Sequence, residues 1–349
     1  MKKLIAITFI FCIFLTFQSC KKDANSYDVP TTYNFTDVDY SGQKIRLAMI
    51  NELVAAVKAG STAGTMLNAL TLRNMYTNTG NPFVNDTLNT SGKQLKDKTF
   101  PADQTTIEAW IDNAALASQA GVAGSNGIAG IVTSGTKAYL LDENGFEYKE
   151  GVEKHLQGAL IYYQMTAVYL SEDKVGAQVA LADRQHYWDE AFGYYGVPVD
   201  YPTNPTGLQH LGKYGNDRNA LLGNGAAVMN AFLKGRAAIN NNDHSTVTEQ
   251  VAIIRDNLER GVAGTAVHYL NEALANIGDD AIRSHTLSEG YFLIKSLKYN
   301  PTKKISDTQI QSLMNYLGTN FYTITTTNLQ AAKDMLSSIY GFDSVKDQL

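Results

Sequence analysis

The sequence predicts an all-α protein made of two helical bundles, with at most one short β-hairpin. Apolar residues recur every three or four positions over most of the chain, which is the periodicity of an amphipathic helix. Prolines near residue 200 interrupt this pattern, and part of the second half resembles part of the first. These observations predict one bundle over residues 41–200, a crossover linker over 201–216 and a second bundle over 217–349.

Residues 1–19 predict a signal peptide. Two lysines precede an apolar run over residues 4–17, which is too short to cross the roughly 30 Å hydrocarbon layer as a mature helix. Ser19 precedes Cys20, and the segment 17–20 resembles a bacterial lipobox, in which the cysteine is acylated. We therefore expect cleavage before Cys20 and a lipid at that residue that attaches the protein to a membrane.

The polar segment 20–40 predicts a flexible tether between the membrane and the folded body, because it lacks apolar periodicity. Lys21 stands where some bacteria place an aspartate that retains a lipoprotein in the inner membrane. We therefore expect an outer-membrane lipoprotein whose body faces the periplasm or the cell surface.

Charge and cysteine content exclude several classes of function. Removal of two lysines with the signal peptide takes the count of Lys and Arg from 29 to 27 against 34 Asp and Glu, so the net charge changes from −5 to −7. This acidic balance, without a basic cluster, argues against a nucleic-acid partner. Cys12 lies in the signal peptide and Cys20 would carry lipid, so disulfides, thiolate metal sites and cysteine nucleophiles are excluded.

The predicted first bundle begins at Ser41, a plausible N-cap, with an amphipathic helix that ends at Gly60. Five glycines between residues 118 and 136 predict a loop. Asn144 and Gly145 predict the turn of the hairpin, with residues 139–141 and 146–148 as its strands. Further helices are expected over 65–75, from 103 to about 116, and over 150–170, 177–195, 217–240, 246–277, 279–298, 306–317 and 326–340.

Two segments of the second half match segments of the first. Residues 259–269 align with 153–163, and residues 285–289 align with 186–190. The two bundles are therefore expected to be related by an approximate internal repeat. The aligned helices carry Gly158 and Gly264. Glycine weakens a helix interior by about 1 kcal/mol relative to alanine, so we expect a neighbouring element to pack closely at both positions.

The aligned segments both contain His-x-x-x-Glu, as His186 with Glu190 and His285 with Glu289. This spacing places both side chains on one face of a helix, where imidazole and carboxylate can share a metal ion or the carboxylate can orient the ring. We predict these four residues as ligands of a divalent metal or iron, with Asp189 as an additional ligand-binding residue. The alternative is that each pair is a local helix contact.

An aromatic cluster near the crossover provides an alternative binding surface. Trp188, Tyr194, Tyr195 and Tyr201 could stack on a sugar. A surface glycan-binding or scaffold protein is therefore kept as an alternative function.

The chain resembles a family of uncharacterised lipoproteins from Bacteroides-like bacteria, the domain of unknown function 4856 family. The resemblance rests on the lipobox and on residues 40–43, 145–148, 158–159 and 188–194. It covers nearly all of the mature chain and implies the lipid anchor and a helical fold. The family has no established activity.

The paired halves are also similar to the imelysin group, which has two helical bundles and is linked to iron handling in the periplasm or at the cell surface. That group carries Gly-x-His-x-x-Glu. Around His186 this chain has Arg184 at the glycine position and Asp189 at the glutamate position, while Glu190 comes one residue later. The resemblance implies a non-catalytic component that binds iron or an iron-containing ligand. A metal-assisted peptidase is the enzymatic alternative.

Overall fold

The computed structural model describes residues 27–349, which form 13 α-helices and one β-hairpin. The all-α prediction is confirmed. The helices are α1 Ser41–Lys58, α2 Ala69–Thr77, α3 Asp86–Asn89, α4 Gln104–Gln119, α5 Tyr148–Leu156, α6 Glu172–Val175, α7 Leu181–Tyr195, α8 His210–Leu222, α9 Asn224–Asn240, α10 His244–Ala275, α11 Asp280–Ser296, α12 Asp307–Leu317 and α13 Thr326–Tyr340. The predicted signal peptide and Cys20 lie outside the described residues.

The hairpin consists of β1 (Gly130–Ser134) and β2 (Lys137–Leu141), which pair antiparallel. One short hairpin was predicted, but its predicted position is wrong. The chain turns at Gly135, whose φ of +56° is a conformation that favours glycine, and β1 lies in the stretch predicted to be a loop. The high glycine content of this stretch led to the prediction of a loop where β1 forms.

The predicted turn at Asn144 and Gly145 instead leads into α5. Asp142 Oδ1 accepts hydrogen bonds from the backbone N–H groups of Asn144 and Phe146, each at 2.8 Å. The predicted strand pairing across this turn is reduced to one isolated bridge between Leu141 and Glu147. The Asp142 side chain holds the turn instead. The turn thus places Glu147 immediately before the first residue of α5.

Helix α10 is the longest element of the described chain, with 32 residues, and packs against α8, α9, α11 and α13. Helix α5 packs against α1, α4 and α11, and continues through two π-helical segments, Gln157–Tyr162 and Gln164–Tyr169. Buried apolar side chains from both predicted bundles belong to one connected core, as Leu160 and Leu293 illustrate. The predicted internal repeat stays a prediction.

Both glycines of the predicted repeat lie in closely packed helices. A Cβ on Gly158 would lie 2.4 Å from the Cβ of Ser296, and a Cβ on Gly264 would lie 2.7 Å from Cδ1 of Leu222. Neither position has room for a larger side chain without movement of a neighbour, so the expected close packing is confirmed.

The segment predicted as a crossover linker is partly helical. A loop over residues 196–209 joins α7 to α8, and α8 then occupies the rest of the predicted linker, from His210 onward. The prolines near residue 200 explain where α8 can begin, because Pro205 is the last of that group and the next proline is Pro301. Tyr201 in this loop is buried in the core, so the loop is packed and is not an open linker.

Residues 33–40 pack on the body, which differs from the flexible tether predicted over 20–40. Tyr33 is buried, its hydroxyl donates to Asp189 Oδ1 at 2.7 Å, and its ring stacks on Phe192 with centroids 3.7 Å apart. Aromatic residues in an otherwise polar run supply the buried area that the sequence pattern did not reveal. Within residues 27–349, none of the helices is both long and apolar enough to cross a bilayer.

Candidate functional site

Helices α5 and α11 bring together a set of charged side chains, which we call the His285 cluster. Its members are Glu147, Lys149, Glu150, Glu153, Lys154, His285 and Glu289. Four of them line a cleft of about 790 Å³, together with residues of α1, of β2 and of the segments that adjoin them. The four are Glu147, Lys149, His285 and Glu289.

Local hydrogen bonds fix the two helices relative to each other at this point. Asp279 caps α11 by accepting a hydrogen bond from the backbone N–H of Ile282 at 3.0 Å. One helical turn after His285, Ser288 Oγ accepts a hydrogen bond from the backbone N–H of Glu147 at 2.8 Å. The start of α5 is therefore held against α11, and the Glu147 carboxylate is placed beside His285.

The imidazole of His285 lies between three carboxylates. Its Nδ1 is 2.5 Å from Glu147 Oε2 and 3.7 Å from Glu150 Oε1, and its Nε2 is 3.6 Å from Glu289 Oε2. The ring of Tyr139 on β2 stacks on the imidazole with centroids 4.4 Å apart. The side chain of His285 remains 23% exposed, so the ring can be reached from the cleft.

Two lysines lie among the glutamates. Lys149 contacts Glu150 and lies 2.8 Å from Glu153 Oε2. Lys154 Nζ lies 3.0 Å from Glu289 Oε1 and 3.4 Å from Glu150 Oε2. Glu150 is fully buried, and its Oε2 has no hydrogen-bond partner besides this ion pair. The interior of the cluster thus consists of ionisable side chains in close contact, while its outer edge faces the cleft.

The surroundings shift the pKa values of the cluster in opposite directions. Burial raises the pKa of Glu150 to about 8, although Lys154 opposes the shift. Burial alone would lower the pKa of His285, but the hydrogen bond to Glu147 and the charges of Glu289 and Glu150 raise it. Burial would raise the pKa of Glu289, but Lys154 and His285 lower it. His285 and Glu150 therefore hold protons more tightly than usual, and Glu289 holds one less tightly.

Three side chains of the cluster offer atoms suited to a metal ion. The ligand atoms of Glu147, Glu150 and His285 all lie within 4.8 Å of one another. Imidazole nitrogen and carboxylate oxygen are ligands that proteins use for Zn²⁺ and for other divalent transition metals. Glu150 lies on α5, His285 lies on α11 and Glu147 immediately precedes α5, so the donors are positioned by two packed helices.

A family model described as a domain of unknown function, DUF4856, matches residues 30–343. The chain belongs to the DUF4856 family. The match begins in the segment that packs on the body before α1 and extends past the end of α13. No curated protein and no solved structure matches the chain. The resemblance to a domain of unknown function is confirmed.

The structure places the two predicted His–Glu pairs in different surroundings. His186 Nε2 lies 3.6 Å from Glu190 Oε2 on α7, and the imidazole is 51% exposed. Glu190 accepts hydrogen bonds from Gln43 at 2.6 Å and Tyr169 at 3.3 Å. No hydrogen bond or ion pair among the described residues joins this pair to the His285 cluster. In this DUF4856 protein, the imidazole of the pair on α11 has two further carboxylates within 4.0 Å, those of Glu147 and Glu150.

Asp189, predicted as an additional ligand-binding residue, lies in the interior. Its Oδ1 accepts hydrogen bonds from Arg236 Nε at 2.9 Å and from the Tyr33 hydroxyl at 2.7 Å. The side chains of Asp189 and Arg236 are both buried. This carboxylate connects α7, α9 and the segment before α1, which explains its burial in the DUF4856 fold.

The aromatic residues predicted as a sugar platform are buried, and this prediction is wrong for these four residues. They are Trp188, Tyr194, Tyr195 and Tyr201. Trp188 Nε1 donates to the carbonyl of Phe232 at 3.0 Å, and its ring occupies the space beside Gly235. A ring in the core cannot stack on a ligand from solvent.

Sequence reasoning missed Glu147, Glu150, Glu153 and the two lysines of the cluster. The signal was a set of charged residues between 147 and 154, some of them three or four residues apart, with the apolar Tyr148 and Val152 between them. Such a set usually forms a solvated helix face. Only the packing of α5 against α11 shows that it meets His285.

Proposed function

We propose that this DUF4856 protein is a membrane-anchored, extracytoplasmic binding protein whose His285 cluster holds a divalent transition metal ion. Glu147, Glu150 and His285 would be the protein ligands, with Glu289 beside the imidazole. The observation that carries the proposal is the convergence of three ligand atoms within 4.8 Å, with Glu147 and His285 lining an open cleft and Glu150 buried behind them. The proposed ion reaches this cleft from solvent.

The charge of the cluster supports a divalent cation. Its four glutamates outnumber its two lysines by two negative charges when all six groups are ionised. A doubly charged ion would balance this excess, whereas burial of uncompensated charge is costly. The raised pKa values of His285 and Glu150 indicate that protons offset the excess when no metal is bound. The metal would therefore compete with protons.

Binding of the ion requires two rearrangements. His285 Nδ1 would lose its proton and move apart from Glu147 Oε2, which lies 2.5 Å away, so that both atoms can face the ion. A lysine must also move. Lys149 contacts Glu150 and would have to release that carboxylate. Its side chain lines the cleft, so the ammonium group can turn toward solvent without entering the core. The donor set contains nitrogen and oxygen and no sulfur, which favours ions such as Zn²⁺, Fe²⁺ or Mn²⁺ over those that need thiolates.

The electrostatics favour binding over catalysis. Glu289 is the carboxylate best placed to act as a general base next to a metal-bound water, but Lys154 and His285 lower its pKa. A carboxylate in an ion pair is a weak base, whereas efficient general bases have pKa values near the working pH. We therefore propose a metal-binding or metal-delivery role rather than a peptidase.

Isothermal titration of the purified protein with Zn²⁺, and with Fe²⁺ under anaerobic conditions, tests the site. His285→Ala and Glu147→Gln should each weaken binding by more than about tenfold, since loss of even an outer-shell partner costs about 10–100-fold. His186→Ala and His268→Ala are matched controls, because each of these histidines faces one carboxylate at the same helical spacing, at 3.6 Å and 3.5 Å. Unchanged affinity in both cluster variants would refute the site.

The membrane anchor of the proposal rests on the lipobox at residues 17–20 and the basic, apolar segment before it. Metabolic labelling with an alkyne-bearing fatty acid in a bacterial host tests it. Label should be incorporated into the wild-type protein and should be absent from the Cys20→Ala variant. Equal label in both proteins, or none in either, would contradict lipid attachment at Cys20.

A further inference from the structure

A second cavity lies between α6, α10 and the segment that follows α11. We call it the α10 pocket; its volume is about 420 Å³, within the range of about 300–1,000 Å³ typical of small-molecule sites. Its lining residues come from three parts of the chain. They are Leu170, Glu172, Val175, His244, Val247, Thr248, Val251, Ala252, Arg255, Asp256, Glu259, Thr302 and Lys304.

One wall of the α10 pocket is apolar. Val247 and Val251 lie one turn apart on α10, and Val175 and Leu170 face them from α6 and the helix before it. All four side chains are buried and belong to the core. This wall suits the hydrocarbon part of a ligand.

Arg255 is the unusual charged residue of the pocket. Its Nε donates to the carbonyl of Thr166 at 2.9 Å and its Nη2 to the carbonyl of Leu170 at 3.0 Å. Among residues 27–349, no carboxylate lies within 4.0 Å of the guanidinium, and Nη1 has no acceptor. Burial lowers the pKa of Arg255. The pocket thus contains a partly buried cation that neutral carbonyls hold in place without a counter-charge.

The acidic residues of the pocket do not neutralise Arg255. Glu259 is buried and accepts hydrogen bonds from Tyr340, Asn300 and the backbone of residues 304 and 305. Glu172 lies 3.3 Å from His244 Nε2, at the outer edge. Asp256 is exposed, where solvent screens its charge.

The remaining polar groups of the pocket also leave room for an acceptor. His244 Nδ1 is buried and has no hydrogen-bond partner. Lys304 Nζ lies 6.0 Å from the centre of the Tyr340 ring, and no carboxylate lies within 4.0 Å of it among the described residues. Two cations and an unpartnered imidazole nitrogen therefore stand beside the apolar wall.

We propose that the α10 pocket binds a small amphiphilic carboxylate, a molecule with a compact apolar body and one carboxylate group. The apolar body would lie on the valines of α6 and α10, and the carboxylate would accept from Arg255. Guanidinium–carboxylate hydrogen bonds are among the stronger polar contacts in proteins, and the guanidinium here is already oriented. This inference is independent of the metal site, because the pocket shares no residue with the His285 cluster.

Titration of the purified protein with decanoate at pH 8 tests the pocket, with decanol and decylammonium as probes of the same apolar body. Decanoate should bind at least about tenfold more tightly than either analogue. Arg255→Gln should remove this preference and leave the affinity for decanol within about threefold of wild type. Arg260→Gln is the matched control, because Arg260 also lies on α10 and donates to a backbone carbonyl, of Tyr340 at 3.1 Å, outside the pocket.

A second variant tests the pocket without touching a buried residue. Ala252 is exposed and lines the pocket, so Ala252→Trp should fill it and weaken decanoate at least about tenfold while the fold is retained. Ala109→Trp on the exposed face of α4 is the control and should bind as wild type does. The proposal is overturned if decanoate fails to bind wild type, binds Arg255→Gln equally well, or binds no more tightly than decylammonium.

Discussion

Replacement of Asp189 by asparagine should destabilise the protein strongly. Asparagine keeps the size of the side chain but removes the charge that pairs with Arg236 at 2.9 Å, where both side chains are at most 1% exposed. Breaking a buried ion pair by removing one partner costs about 3–5 kcal/mol, because the other charge stays buried without compensation. Arg236 retains hydrogen bonds to Asn240 and to the carbonyl of Thr36, but neither acceptor carries a charge.

Urea denaturation followed by circular dichroism measures this loss. A change of about 3–5 kcal/mol should lower the denaturation midpoint by at least about 1 M for m-values of about 1–3 kcal/mol/M. Asp112→Asn is the matched control, because Asp112 pairs with Arg73 at the surface, with 36% and 45% of the two side chains exposed. The loss of such a pair costs about 0–1 kcal/mol.

The Asp189 variant also separates a structural role from a ligand role. If Asp189→Asn unfolds at the same urea concentration as wild type and instead loses zinc affinity, the buried-pair interpretation is wrong and the carboxylate is a ligand. A large loss of stability, with zinc affinity retained below the unfolding transition, supports the structure.

Two further predictions concern α5 and its neighbours. Without metal, Glu150→Gln should gain stability relative to wild type as the pH rises from about 5 to 8. Burial raises the pKa of Glu150 to about 8, above its value of about 4.3 in the unfolded chain. The stabilisation that wild type gains from protonated Glu150 is therefore complete below pH about 4.3 and is lost as the pH approaches 8, whereas glutamine does not titrate. Thermal melts at both pH values check this, and a constant difference would contradict it. Gly158→Ala should cost about 1–3 kcal/mol, because its Cβ would lie 2.4 Å from that of Ser296. Gly278→Ala, with nothing within 4 Å, should change the free energy of unfolding by less than about 0.5 kcal/mol, and equal losses in urea denaturation would refute the packing argument.

The sequence predicted the helices well where a strong apolar period coincided with a clear start and stop. The last predicted helix, 326–340, has the bounds of α13, which begins after the N-cap Thr325 and ends before Gly341 in a left-handed conformation. The prediction failed in the glycine-rich stretch. There β1 forms because it pairs with β2 on one side and with the backbone near Gly124 on the other. These pairings depend on contacts between separate segments, and amino-acid composition does not predict them.

Of the four side chains around the proposed metal, His285 and Glu289 were predicted, and Glu147 and Glu150 were not. His285 and Glu289 lie four residues apart, so helical periodicity places them together. Glu147 and Glu150 meet the same imidazole across more than 130 residues of chain, through the packing of α5 on α11. Local pattern could not distinguish this pair of helices from α7, where His186 and Glu190 have the same spacing and remain at the surface. Tertiary packing distinguishes the two pairs.

A crystal structure of the zinc-loaded protein, with anomalous diffraction measured at the zinc edge, tests the central claim most directly. The account predicts one strong anomalous peak about 2.0–2.2 Å from a carboxylate oxygen of Glu147 and from Nδ1 of His285, with Lys149 turned away from Glu150. A zinc peak at His186 and Glu190 alone, or no peak in the His285 cluster at a saturating zinc concentration, would contradict it.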